Sequence, residues 1–387
     1  MLYERIIRSP KQGFFLFGPR GVGKSTWLRN YFKADATFDL LEERRYQDYL
    51  RDSGLFGREL DALPKGSRVV VDEIQRMPDL LNEVHRFIEQ KKMIFALSGS
   101  SARKLKRSGV NLLAGRALRR MMFPLLPEEL GADFDLETVL RYGSIAVIWN
   151  QEDRDEALEA YAQMYLKEEI KAEALVRNLS GFARFLPIAA LCHAQVVNTS
   201  SISRDAGVSR STVQGYLEVL EDTLMTFTLP AYEARLRVRE RTHPKLYWID
   251  PGVVRAMKNH HGPVAQEERG ALLEGWIASV LYAYQQHRQL FDSWSYWSPT
   301  EADQLEVDFL LERERHFLAI EVKSSRQIHN GHFKGLRAIA DLSGLQTRIL
   351  LYTGDSRQKT EDGIHVLPLA DMLKELATGN LWNLAKA

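Results

Sequence analysis

The chain has a single cysteine, Cys192, among 387 residues. One thiol cannot close an intrachain disulfide, which fits a reducing compartment. Cys192 lies in "PIAALCHAQ", an apolar helical run, where a free thiol serves as buried filler rather than as a nucleophile. No stretch is long and apolar enough to cross a bilayer. The first residues, "MLYERIIRSPKQG", place charges and a proline where a signal peptide needs an apolar run. These absences predict a cytoplasmic protein with no membrane partner. An excess of charge of either sign is missing too. The count is 52 Lys and Arg against 51 Asp and Glu, a net charge of +1. Any nucleic acid must therefore be bound by local patches. Internal repeats and low-complexity segments are absent.

What is present is the balance of a soluble globular protein, 45% hydrophobic and 27% charged. The length predicts two or three domains. Residues 13 to 125 alternate short apolar runs ("FFLF", "VVVDE", "MIFALSGS", "RRMMFPL") with amphipathic helices. That is the pattern of a parallel sheet covered by helices. The pattern then turns helical to about Asn178. Helices with a short β-like tail follow over 183–250, and "NHHGP", ending at Pro263, reads as a linker. A long helix, "EERGALLEGWIASVLYAYQQH", then opens a second α/β region with strands in "DSWSYWS", "EVDFLLER", "FLAIEVK" and "TRILLYTG".

The sharpest signal is "FFLFGPRGVGKST". Gly18, Pro19, Arg20, Gly21, Val22, Gly23, Lys24 and Ser25 fit G-x-x-x-x-G-K-[S/T] in full, with Thr26 next in the chain. Glycines let the backbone wrap closely, so that successive N–H groups point at one phosphate. The following helix, "STWLRNYF", presents an N-terminus that favours an anion. Lys24 can reach the β- and γ-phosphates, and Ser25 can ligate Mg²⁺. In "RVVVDEIQ" an apolar strand ends in two acids. Asp72 is expected to hold Mg²⁺ through water, and Glu73 to orient and deprotonate the attacking water. That second acid favours ATP hydrolysis over transfer to another substrate. Ser98, ending the strand "MIFALSGSS", is placed to sense the γ-phosphate or lytic water, or to cap the following helix. Arg116 in "LLAGRALRR" lies before the next strand. There it is either a finger completing a neighbouring subunit's site or surface arginine, with Arg119 and Arg120 as rivals.

The order P-loop, D-E strand, "LSGSS", "LLAGRA", "FPLLPEE" resembles a bacterial and archaeal group of predicted AAA+ ATPases. In that group a winged helix follows the ATPase, and then a C-terminal domain of uncharacterised function that resembles the PD-(D/E)xK nuclease fold. The resemblance implies an α/β chain with four parts. These are a P-loop AAA+ ATPase core over 1–125, a helical lid over 126–180, a winged helix-turn-helix over 181–260 and a restriction-endonuclease-like α/β domain over 261–387. It also implies ATP and Mg²⁺ as ligands and a homo-oligomer, expected as a hexameric ring.

Two further constellations follow. "SISRDAGVSRSTVQGYLEVLED" reads as helix–turn–helix, with Gly207 at the turn and Ser209 as N-cap. Arg210, Ser211, Thr212 and Gln214 lie near the second helix's start, where recognition helices contact DNA. In "ARLRVRERTHPK", Arg235, Arg237, Arg239 and Arg241 alternate, so they share one face of a strand and suit a phosphate backbone. Packing against neighbouring elements is the alternative use of such a module. In the last region, Glu274 on the helix, Asp308 in "LEVDFLLER", and Glu321 with Lys323 in "AIEVKSS" stand in the order of a nuclease site, with Val307 where the motif has proline. Such acids suit Mg²⁺ or Mn²⁺, with the lysine orienting water. The same residues can also persist on a scaffold without cleavage. The function expected is a Mg-dependent AAA+ ATPase acting as a DNA motor on duplex or branched DNA. The alternatives are a nucleotide-controlled switch binding a protein, and an ATP-driven nuclease.

Overall fold

The computed structural model describes residues 2–100, 116–164, 178–232, 243–299 and 305–386. The chain forms two compact units, one of residues 1–125 with 145–150 and 219–225, the other of the remainder.

In the first unit five strands form an all-parallel sheet, β1 (Phe14–Phe17), β2 (Ala36–Asp39), β3 (Arg68–Asp72), β4 (Ile94–Gly99) and β5 (Leu118–Met121). Its order is β2-β3-β4-β1-β5. Every residue of β1 is buried. That explains its unbroken apolar run, since a strand covered on both faces has no polar side to alternate with. Helices α1 (Lys24–Trp27), α2 (Glu43–Arg51), α3 (Leu55–Asp61) and α4 (Leu80–Lys91) complete the layers. Phe14 meets Trp27 and Phe32 edge-on, at centroid distances of 6.2 and 5.6 Å. These contacts anchor the segment after the glycine-rich loop against the sheet. α1 passes directly into a π-helical stretch, Leu28–Phe32, where a plain α-helix is expected from the sequence. The edge strand β2, "ATFD", carries no distinctive sequence signal.

In the second unit, α5 (Leu136–Tyr142) and α6 (Arg154–Met164) precede a small helical and β assembly. It consists of α7 (Leu179–Leu191), β6 (Gln195–Val196), α8 (Thr199–Ala206), α9 (Arg210–Asp222, whose last four residues fall in the first unit), β7 (Thr226–Leu229) and β8 (Lys245–Trp248). The strands pair antiparallel in the order β6-β8-β7. Phe182, Phe185 and Tyr216 pack α7 on α9, with ring centroids 4.9–5.6 Å apart.

After α10 (Pro251–Met257) and α11 (Gln266–Arg288) come β9 (Ser293–Trp297), β10 (Val307–Arg313), β11 (His316–Lys323), α12 (Lys334–Ala338), β12 (Leu345–Tyr352), β13 (Gln358–Lys359), β14 (His365–Pro368) and α13 (Leu369–Thr378). Their mixed sheet has the order β13-β14-β12-β11-β10-β9. α11 approaches its neighbours closely at Gly275, where an added Cβ would lie 1.9 Å from His193 Nε2. His193 Nδ1 accepts the Trp248 N–H at 3.0 Å. Burial, with the charge of Lys258 adding to it, pushes this imidazole down to about 3, so it stays neutral. Cys192 is half-buried rather than buried, because it caps the end of α7; burial pushes its thiol upward, with Asp205 adding to the effect.

Candidate nucleotide and carboxylate sites

The loop between β1 and α1 is shaped by two glycines for different reasons. At Gly18 the constraint is space, since a Cβ would lie 2.4 Å from the Met122 carbonyl oxygen. At Gly23 it is conformation, since φ is +98° with open space around it. Gly21 accepts the Val147 N–H at 3.0 Å, so the short helix Ala146–Trp149 returns to cover the loop. This segment lies within 126–180, where the sequence leads one to expect a separate helical lid, yet it groups with the first unit. Lys24 is buried, and its Nζ donates to the carbonyls of Gly18 and Pro19 at 2.7 and 3.0 Å. Ser25 and Thr26 are exposed at the helix start.

β4 lies between β1 and β3, so Ser98 stands next to the acids that end β3. Its hydroxyl donates to Asp72 Oδ1 and accepts the Glu73 N–H at 3.4 Å. In this structure Ser98 therefore orients the acids. Glu73 adopts a left-handed backbone, φ +58°, an uncommon conformation for a residue with a side chain. Gln75 Nε2 holds Glu73 Oε2 and also reaches Ser100 Oγ at 3.2 Å. Arg20, Gly21 to Thr26 and Glu73 open together into a cavity of about 370 Å³. Trp27, Tyr31, Leu2, Tyr3, Val147 and Asn150 supply its other walls. Loop amides, an ammonium, hydroxyls and a carboxylate on one side, with rings and aliphatic side chains on the other, fit a nucleoside triphosphate. Ser25 and Asp72 offer the hard oxygen donors that suit Mg²⁺.

Arg116 is exposed and its Nε contacts Glu89 Oε1 at 2.6 Å, which lowers the Glu89 pKa. Arg119 lies over the Phe17 ring, 5.7 Å from its centroid, and Arg120 donates to the Arg119 carbonyl. At the helix pair, Gly207 ends α8 with φ +63°, and Ser209 Oγ accepts the Thr212 N–H at 3.1 Å. The Thr212 hydroxyl is engaged with Ser209 at 2.8 Å, while Arg210 is exposed. Arg235, Arg237 and Arg239 lie outside the described residues.

In the second unit, Glu274, Asp308, Glu321 and Lys323 come close together, and three side chains not expected from the sequence join them, those of Lys245, Glu306 and Tyr247. Lys245 on β8 is 2% exposed, and its Nζ contacts Glu274 Oε1 at 2.9 Å, Asp308 Oδ1 at 3.5 Å and Glu306 Oε1 closest of all. Tyr247 donates to Glu274 Oε1 at 2.7 Å, and the Val322 amide to Asp308 Oδ2 at 2.8 Å. Lys323 Nζ lies 2.5 Å from Glu321 Oε1. Burial and then Asp308 raise Glu274 to about 7, against the pull of Lys245. The same two causes raise Glu321 to about 8. Burial works to lower the Lys245 pKa, but Glu274 foremost, with Tyr247, Asp308 and Glu306, holds it well above the ordinary lysine value. The ammonium is thus charged and sits where a divalent ion would need the same oxygens. With the side chains so placed, a nuclease metal does not fit. Two signals in the sequence mark this site. One is a lysine opening the buried strand "KLYW", and the other is Glu306, two residues before Asp308 and just ahead of β10.

Three family models match the chain. Residues 11–131 match an AAA domain, 133–263 a domain of unknown function (DUF8612) and 269–372 a domain of unknown function (DUF4143). An uncharacterized protein of Mycobacterium tuberculosis is 26% identical over 380 residues, covering 95% of this chain and 81% of that protein. Among solved structures, the Aeropyrum pernix Orc1 protein in complex with DNA aligns at 12% identity and TM-score 0.30, over 65% of this chain and 87% of that one. The replication initiator DnaA bound to AMPPCP and single-stranded DNA aligns at 13% identity and TM-score 0.25, over 56% and 83%. Among the described residues no helix is long and apolar enough to cross a membrane. The N-terminal third of the chain is thus similar to an AAA domain and carries the phosphate loop, and the two stretches after it are similar to domains with no assigned function.

Proposed function

We propose that the chain is a Mg²⁺-dependent AAA+ ATPase. The observation that carries this reading is the single cavity into which the phosphate loop, Lys24, Ser25 and Glu73 all open. Loop amides and the Lys24 ammonium bind the β- and γ-phosphates of ATP, once Lys24 exchanges its two loop carbonyls for phosphate oxygens. Trp27 and Tyr31, whose rings stack 6.0 Å apart, cover the nucleobase. Ser25 and Asp72 hold Mg²⁺, which neutralises charge on the phosphates. Glu73, held by Gln75, takes the proton of the attacking water. Ser98 keeps Asp72 and the Glu73 amide in place.

Arg116 completes the site of a neighbouring subunit in a homo-oligomer, a hexameric ring, after parting from Glu89. The helix pair α8–α9, with Arg210 exposed at the second helix's start, supports duplex or branched DNA as the partner on which the motor works. Glu73→Gln should bind ATP, stall before hydrolysis and lose turnover by roughly 10²–10⁴-fold, the range of general-base effects. Turnover within threefold of wild type would remove Glu73 from the water-activating role. Failure of branched and duplex DNA to bind, or to change turnover at low salt, would remove the motor while leaving the ATPase.

A further inference from the structure

The carboxylates of Glu274, Glu306 and Asp308 each bring one oxygen within 4.8 Å of the others, a spacing at which such groups hold a cation. Lys245 Nζ contacts all three residues. A fourth acid, Glu321, faces the same cluster, feeling Asp308 and Glu274, and its Oε2 is buried with no hydrogen-bond partner. We propose that the Lys245 ammonium is the resident cation of this cluster, so that the native site is closed to divalent metal and the loss of that one amine opens it to Mg²⁺ or Mn²⁺.

Mg²⁺ binds carboxylate oxygens at about 2.0–2.1 Å and Ca²⁺ at about 2.3–2.6 Å. An ion at either distance from the oxygens that Lys245 touches would overlap its Nζ. The amine is held firmly, because it lies on β8 between His243–Pro244 and the buried Leu246, and is itself 2% exposed. The three carboxyl groups share this one ammonium, and the Tyr247 hydroxyl and the Val322 amide donate further bonds to Glu274 and Asp308. Without Lys245 the same oxygens form a hard, anionic, partly desolvated cage. Such a cage selects Mg²⁺ or Mn²⁺ over softer-ligand metals. Lys245 also ties β8 to α11 and β10. In this chain the cluster therefore works as a lysine-neutralised joint.

The test uses the full-length chain without nucleotide and counts bound Mn²⁺ by electron paramagnetic resonance. Asp308→Asn serves as the subtraction, so that ions at the phosphate loop or surface cancel. The wild type should take up no Asp308-dependent Mn²⁺ up to millimolar concentration, and its melting temperature should not respond to Mn²⁺ through Asp308. Lys245→Met should gain one Asp308-dependent Mn²⁺ per chain and melt higher when the ion is added. Asp308-dependent uptake by the wild type, or a folded Lys245→Met that gains none, would overturn the proposal. Should Lys245→Met and Lys245→Gln both fail to fold, the wild-type arm decides alone, in the same two directions.

Discussion

Glu268 offers a stability prediction whose size and pH dependence both follow from the structure. It sits at the start of α11 and is 8% exposed. Oε1 accepts Arg255 Nε at 3.1 Å and the Ala265 amide at 3.2 Å. Oε2 meets Lys258 Nζ at 3.2 Å and His260 Nδ1 at 3.0 Å. Glu268→Gln removes the negative charge and leaves the Arg255 guanidinium, 3% exposed, without its counter-ion. Breaking a buried pair from one side costs about 3–5 kcal/mol. The lower end applies, because Arg255 still donates to the carbonyls of Arg141, Gly262 and Pro263. About 3 kcal/mol lowers the melting temperature of a unit above 200 residues by roughly 6–12 °C.

The pH dependence supplies an independent check. Burial works to raise the Glu268 pKa from 4.5. The bonds from His260 and the Ala265 amide, with Arg255 and Lys258, outweigh burial and hold it at about 2. A depressed carboxylate stabilises fully above its unfolded value, and the gain disappears as pH falls toward the folded value. The wild-type advantage over Glu268→Gln should therefore be complete at pH 6–7 and shrink by roughly half at pH 3. Comparing the two proteins at each pH cancels His193, present in both. Melting curves within 1 °C at pH 7, or an unchanged gap at pH 3, would refute the reasoning.

Two further outcomes concern the nucleotide site. Gly18→Ala drives a Cβ against the Met122 backbone carbonyl, with no flexible side chain to yield. It should cost about 1–3 kcal/mol by overpacking and lower ATP affinity, read by melting and by nucleotide titration of the same sample. If Arg116 acts across subunits, Arg116→Ala and Lys24→Ala should each be inactive, yet mixing them should restore part of the turnover. Mixtures that stay at the level of the separate variants would place the finger elsewhere.

The legible and illegible parts of this chain differ in kind. β1, β3 and β4 are runs of apolar residues because each is covered on both faces, and such runs stand out in any reading. The phosphate loop is local, since its amides, lysine and hydroxyls are consecutive, so spacing alone assembles it. The turn between α8 and α9 is local for the same reason, through Gly207 and Ser209. Contacts between distant segments are another matter. The return of Ala146–Trp149 onto Gly21, the π-helical stretch after Trp27 and the hold of Ser98 on Asp72 depend on packing that no window of sequence contains. The carboxylate cluster is the clearest case. Glu274, Asp308, Glu321 and Lys323 follow a recognisable order, but the ammonium that neutralises them comes from β8, 29 residues before the first of them. A pattern of acids says where a cation goes and leaves open which cation it is.

The central claim is that residues 18–25 clasp a nucleoside triphosphate, and equilibrium binding tests it most directly. Purified wild-type chain should take up one ATP per subunit in the presence of Mg²⁺, and Lys24→Ala, folded to the same melting temperature within a few degrees, should lose most of that affinity. No uptake by the wild type, or equal uptake by both proteins, would contradict the account.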